Sequence, residues 1–146
     1  MAENKSGFSE AERAAMKQRA EELRAQKGVK GAAKREREYQ ACLDAIDALT
    51  GADKQVAERL HVIVSEEAPE LDPKTWYGFP SYADDGDVLV FLQPASKFNT
   101  RYPTIGFQQN AQLDVGKFWP TSYAALEIDD EIEQQLRALI RKAVGK

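Results

Sequence analysis

The chain has 146 residues, 42% of them hydrophobic and 30% charged, with a net charge of −4. That length accommodates one hydrophobic core. No apolar run reaches the ~20 residues of a membrane-spanning helix and MAENKSGFSE lacks a secretory apolar stretch, so a cytoplasmic protein with no membrane partner is expected.

The lone cysteine, Cys42, rules out an internal disulfide, and the lone histidine, His61, sits in a helical pattern rather than beside a nucleophile. No nucleophile and base pair is visible, so a binding protein is expected ahead of an enzyme. Charge is uneven. Residues 1–38 carry ten Lys and Arg against seven Glu, an excess of +3 that leaves −7 for the remainder. Mixed signs along a helix mark a solvated face, and nucleic acid is not the expected partner.

In chain order, Ser9 and Glu12 form a capping box with Phe8 as its staple, which predicts a first helix through EAERAAMKQRAEELRAQK. Its apolar stripe is thin and mostly alanine. Gly28 ends it, and KGVKGAAKRERE reads as a flexible connector. Residues 1–35 are therefore a helical, partly flexible extension, and residues 36–146 form the domain.

From Glu36, Tyr39, Cys42, Leu43, Ile46 and Leu49 share one helix face. Thr50 and Gly51 interrupt the pattern, Asp53 is the expected cap of a third helix, Val56, Leu60, Ile63 and Val64 form its stripe, and Pro69 closes it. The short turn between the second and third helices predicts an antiparallel hairpin. Beyond Pro73 the period drops to two. Strands are expected around Ser81–Tyr82, Val88–Leu92, Thr104–Phe107 and Ser122–Ile128, with ADDGD as a hairpin turn, before Asp129 caps a final helix. Helices, then antiparallel strands, then one helix place the chain in the α+β class. Phosphate-binding glycine patterns are missing.

The densest chemistry lies in PKTWYGFPSY, where Trp76, Tyr77, Phe79 and Tyr82 crowd between prolines. One reading is packing at a sheet edge. The other is a ligand pocket walled by Trp76, Tyr82 and Phe91, with Gln93, Lys97, Asn99, Thr100 and Arg101 supplying polar groups and Trp119 as a closing lid. Lys97 and Arg101 would hold an anion at its mouth, which makes a small anionic or aromatic ligand the expected partner. No cofactor is expected. Glu66, Glu67, Glu70 and Asp72, or Asp84, Asp85 and Asp87, are candidates for a weak surface cation site, although Asp and Gly are also ordinary turn residues.

PELDPKTWYGFPSYADDGDVLVFLQPASKFNTRYPTIGF resembles the YdhG-like family of bacterial domains of unknown function, through Trp76, Gly78, Pro80, Tyr82, Gly86, Val88 to Leu92, Lys97, Gly106 and Phe107. The likeness spans roughly residues 38–144. It implies a curved antiparallel sheet of about four to five strands packed against helices, here with an extra N-terminal helix. Some members are labelled frataxin-like iron chaperones, so an iron-binding chaperone is one alternative function. An interaction module that docks through the N-terminal helix is another. A histidine common in the family after the apolar strand is replaced here by the Ser96, Lys97 and Phe98 region.

Overall fold

The computed structural model of the chain describes residues 7–27 and 31–146. Three helices come first: α1 (Glu10–Gln26), α2 (Gly31–Asp47) and α3 (Gly51–Glu67). Five strands follow, β1 (Asp72–Trp76), β2 (Phe79–Asp84), β3 (Asp87–Gln93), β4 (Thr104–Phe107) and β5 (Ser122–Ala124), with a short helix α4 (Ala95–Phe98) after β3. Helix α5 (Asp130–Ala143) closes the chain. The strands pair antiparallel in the order β1-β2-β3-β4-β5, an open meander in an α+β fold. A bulge between Tyr82 and Ala83 bends the β2–β3 ribbon.

The sheet has two different faces, set by its register. Tyr82 faces Val90, Val90 faces Phe107 and Leu92 faces Ile105, so these side chains share one surface. They join Val56, Leu60 and Ile63 of α3 and Leu136 and Ile140 of α5 in the core. On the other surface Trp76 pairs with Phe79, and Ser81 with Phe91. Phe8, Ala15 and Met16, carried by α1 and the residues before it, border this aromatic surface.

The Ser9 capping box forms as the sequence predicts, with Glu12 N–H donating to Ser9 Oγ at 3.1 Å and Ser9 N–H to Glu12 Oε1 at 3.0 Å. Gly28, the expected end of α1, lies outside the described residues. The expected connector is shorter than KGVKGAAKRERE: α2 begins at Gly31, because Ala32, Ala33, Lys34 and Arg35 are strong helix formers that extend the helix. The boundary drawn at residue 35 therefore falls inside α2.

Asp53 does not cap α3. Thr50 occupies the N-cap position without a side-chain bond. The nearly buried Asp53 carboxylate instead accepts from Ala95 N–H at 2.7 Å, Ser96 N–H at 3.1 Å and Ser96 Oγ at 2.7 Å, satisfying the start of α4. The last strand is shorter than expected and ends at Ala124. Beyond it, Gln55 takes over both backbone groups of Ile128, donating to its carbonyl at 3.0 Å and accepting from its N–H at 2.9 Å. Asp129 then caps α5 through Ile132 N–H at 2.8 Å.

Candidate functional site

The stretch TWYGFPSY is a hairpin, with β1 ending at Trp76 and β2 beginning at Phe79. Trp76 and Phe79 pair across a two-residue turn whose members both have positive φ, Tyr77 at 53° and Gly78 at 82°. Glycine tolerates that backbone, whereas a bulky tyrosine there is an outlier. The Tyr77 and Gly78 N–H groups both point at one carboxylate. Glu22 of α1 accepts from Tyr77 N–H at 3.2 Å and from Gly78 N–H at 2.8 Å. Arg19 stands 3.2 Å from the same carboxylate, whose side chain is only 11% exposed.

Around this turn the aromatic rings form one connected cluster. Trp76 meets Tyr77, Phe79 and Phe91 edge-on, with ring centroids 5.1, 5.9 and 5.4 Å apart. Phe98 of α4 reaches Phe79 at 6.1 Å. Between this wall and α1 lies a crevice of about 490 Å³, with Gln93 on its border. A second cleft of about 600 Å³ lies between α1 and the alanine-rich side of α2, with Lys34, Arg37 and Lys97 on its border alongside the acidic Glu21, Glu38 and Asp44. The two spaces adjoin where Tyr77 passes into Gly78 and Lys97 into Phe98.

Lys97 stands at that junction. Its ammonium donates to Gln18 of α1. Burial pushes its pKa below the ordinary lysine value, opposed by the negative charge of Glu22. Of the residues proposed as a pocket from the sequence, Trp76, Phe91 and Gln93 border the crevice under α1, and Lys97 borders the adjoining cleft. The structure adds Phe79, Phe98 and the Tyr77–Gly78 turn, whose place depends on the hairpin register.

Five proposed residues do not join them. Tyr82 sits on the opposite face, fully buried, because one step along a strand reverses the side chain. Trp119 packs against the core on that opposite side. Arg101 is exposed and stacks over Tyr102, 5.1 Å from its ring centroid. Asn99, in left-handed conformation, ends α4, and Thr100 bonds the Tyr102 carbonyl at 3.2 Å.

Beneath the sheet, Tyr82 belongs to a buried polar set. Its hydroxyl lies 3.0 Å from His61 Nδ1. Burial raises its pKa well above the tyrosine range, with Cys42 adding to the shift. Burial likewise pushes the Cys42 thiol from 9.0 to about 11, against the opposing pull of hydrogen bonds with Ser81, Tyr82 and Lys74. His61 is shifted the other way, below 6.5, again by burial.

Of the acidic candidates, Glu66, Glu67 and Glu70 pair with cationic side chains of the C-terminal region. Arg137 of α5 bonds Glu66 at 2.7 Å, Glu67 at 2.8 Å and Glu133 at 2.9 Å. Arg141 holds Glu67 at 3.2 Å and Lys146 holds Glu70 at 3.2 Å. Among the described residues no group of three His, Cys, Asp or Glu side chains stands close enough together to hold a metal ion. Asp85, at φ 49°, and Gly86, at φ 90°, form the β2–β3 hairpin turn that the ADDGD pattern predicts.

Among the described residues no helix is long and apolar enough to cross a membrane. Searches against protein-family models, curated proteins and solved structures find no match to the chain.

Proposed function

We propose that the domain is a binding module for a small organic ligand with a flat apolar part and an anionic group. The observation that carries this reading is the position of Lys97. Its half-buried ammonium stands where the aromatic crevice meets the alanine-lined cleft, with the neutral amide of Gln18 as its hydrogen-bond partner. A partly desolvated cation beside a wall of Trp76, Phe79 and Phe91 suits a ligand that stacks its ring and presents a negative charge. Both spaces fall within the ~300–1,000 Å³ range of small-molecule sites.

The likeness to the YdhG-like family agrees with a compact binding domain. The iron-chaperone alternative draws no support from Glu66, Glu67 and Glu70, which are committed to cationic side chains of the C-terminal region. The test is thermal denaturation with indole-3-acetate, phenylacetate and their neutral alcohol analogues. Specific binding raises the melting temperature by mass action. The expected result is a shift with the carboxylates that is lost in Lys97→Ala and in Trp76→Ala. No shift with any of these compounds overturns the reading.

A further inference from the structure

We infer that Glu22 is an internal ligand, and that the Tyr77–Gly78 turn together with Lys97 is the site at which this domain recognises the carboxylate of an aryl-alkyl acid. The inference rests on the binding reading above and specifies which atoms hold the anion and what occupies them in the free protein.

Three donors converge on one carboxylate position. Two are backbone N–H groups, at 3.2 and 2.8 Å, which need no particular side chain and carry no conformational entropy cost of their own. The third is Arg19, at 3.2 Å, while the Lys97 ammonium, which donates to Gln18, borders the same cleft as Glu22 and Gly78. Tyr77 adopts a left-handed conformation, φ 53°, in a turn where glycine or asparagine would be unstrained. Strain held at a donor pair is the signature of a recognition element more than of a simple connection. The same turn places the Tyr77 ring against Trp76, at the start of the aromatic wall.

The present occupant is weakly anchored. Among the described side chains of α1 only Ala15 is buried, while Met16 and Leu23 are 46% and 53% exposed. By contrast α3 buries Val56, Ala57, Leu60, Ile63 and Val64. Helix α1 is therefore held over the crevice largely by polar contacts, those of Glu22 with the turn and Gln18 with Lys97. A free acid supplies the same carboxylate and adds a ring to the wall that α1 only partly covers. Glu22 then lowers the apparent affinity by the fraction of molecules in which it occupies the turn.

The experiment is an amide-resolved NMR titration of the full chain and its Glu22→Gln and Glu22→Ala variants with sodium phenylacetate, using 2-phenylethanol as the uncharged control. Circular dichroism confirms that α1 is retained in each variant, and Glu22→Gln keeps the side-chain size should Glu22→Ala loosen the helix. In wild type the Tyr77 and Gly78 amide signals are displaced downfield by the carboxylate. They relax in the variants, and phenylacetate, not 2-phenylethanol, restores them. Apparent affinity rises roughly tenfold over wild type, the amount expected if Glu22 occupies the turn about nine-tenths of the time. Adding Lys97→Ala to either variant removes most of that gain.

Equal affinity in wild type and both variants, with Tyr77 and Gly78 responding, overturns the internal-ligand inference and leaves the binding reading standing. Binding that perturbs amides elsewhere but not this turn overturns the assignment of the site. If neither compound perturbs any amide in any variant, both the inference and the binding reading fall.

Discussion

The tip of the Phe91 ring lies against Gly106, its cross-strand neighbour, so closely that a Cβ at Gly106 would stand 2.2 Å from Phe91 Cζ. The missing side chain is what lets the ring settle into the Trp76 and Phe79 cluster. Aromatic cover of a strand glycine also shields its backbone from water.

Gly106→Ala therefore forces the ring out of that position. Overpacking of this kind costs about 1–3 kcal/mol, read as a lower urea midpoint with an unchanged m-value. Trp76 fluorescence should change as well, and the double variant Gly106→Ala with Phe91→Leu should recover part of the loss. An unchanged midpoint in the single variant contradicts the close approach.

Asp53 stabilises α4 across 42 and 43 positions of sequence. Asp53→Ala leaves the Ala95 and Ser96 donors without their carboxylate, and a lost charge-assisted bonding set of this kind costs about 1–3 kcal/mol. The measurement is urea denaturation together with hydrogen exchange at Ala95 and Ser96, both of which should exchange faster. Since Lys97 sits on the same turn of helix, ligand affinity at that side chain should fall along with stability.

The buried polar set predicts opposite losses at the two ends of the pH scale. The native pKa of Cys42 is raised, so the native state binds more protons than the unfolded chain above 9.0, and stability falls as pH climbs from 9.0 through about 11. Tyr82, also raised, extends that fall to still higher pH. His61 is lowered, so its contribution is present above 6.5 and is lost as pH falls below it. Urea midpoints measured across this range should drop on both sides. Cys42→Ala should flatten part of the alkaline limb, and His61→Gln the first part of the acid limb. Limbs that match wild type in both variants would show that other groups set them.

Arg137 ties α5 to the end of α3 through Glu66 and Glu67, with Glu133 of its own helix as a third partner. Its pKa is raised and those of Glu67 and Glu133 are lowered, each by hydrogen bonding to the opposite charge. Arg137→Gln should lower the melting temperature in dilute buffer. The deficit should shrink in 1 M salt, where screening acts over about 3 Å. A deficit that does not respond to salt would assign the role of Arg137 to packing of its aliphatic stem.

Much of the fold is legible in the sequence because local rules govern it. The Ser9 box, the Asp129 cap, the ADDGD turn and the Val88 to Leu92 strand need only neighbouring residues to be read. Asp53 misleads because a cap three residues into a helix and a clamp on a distant helix look alike in sequence. The Tyr77–Gly78 turn is harder still: its signal is a single glycine between aromatics, and the carboxylate that stabilises it lies on α1. The candidate site divides on the same principle. Trp76, Phe91 and Gln93 share one crevice and Lys97 borders the next, whereas Tyr82 departs because alternation along β2 sends it to the core, a parity fixed only once the hairpin is placed.

Glu22 lies 55 and 56 positions ahead of the two N–H groups that receive it. On the ribosome, at ~5–20 residues per second, α1 therefore emerges several seconds before its berth exists. During that interval the nascent helix has no partner, and its alanine, glutamate, lysine and arginine content keeps it from exposing a sticky surface. The sparse apolar stripe that makes α1 a weak cover in the finished domain is thus also what lets it wait safely during synthesis.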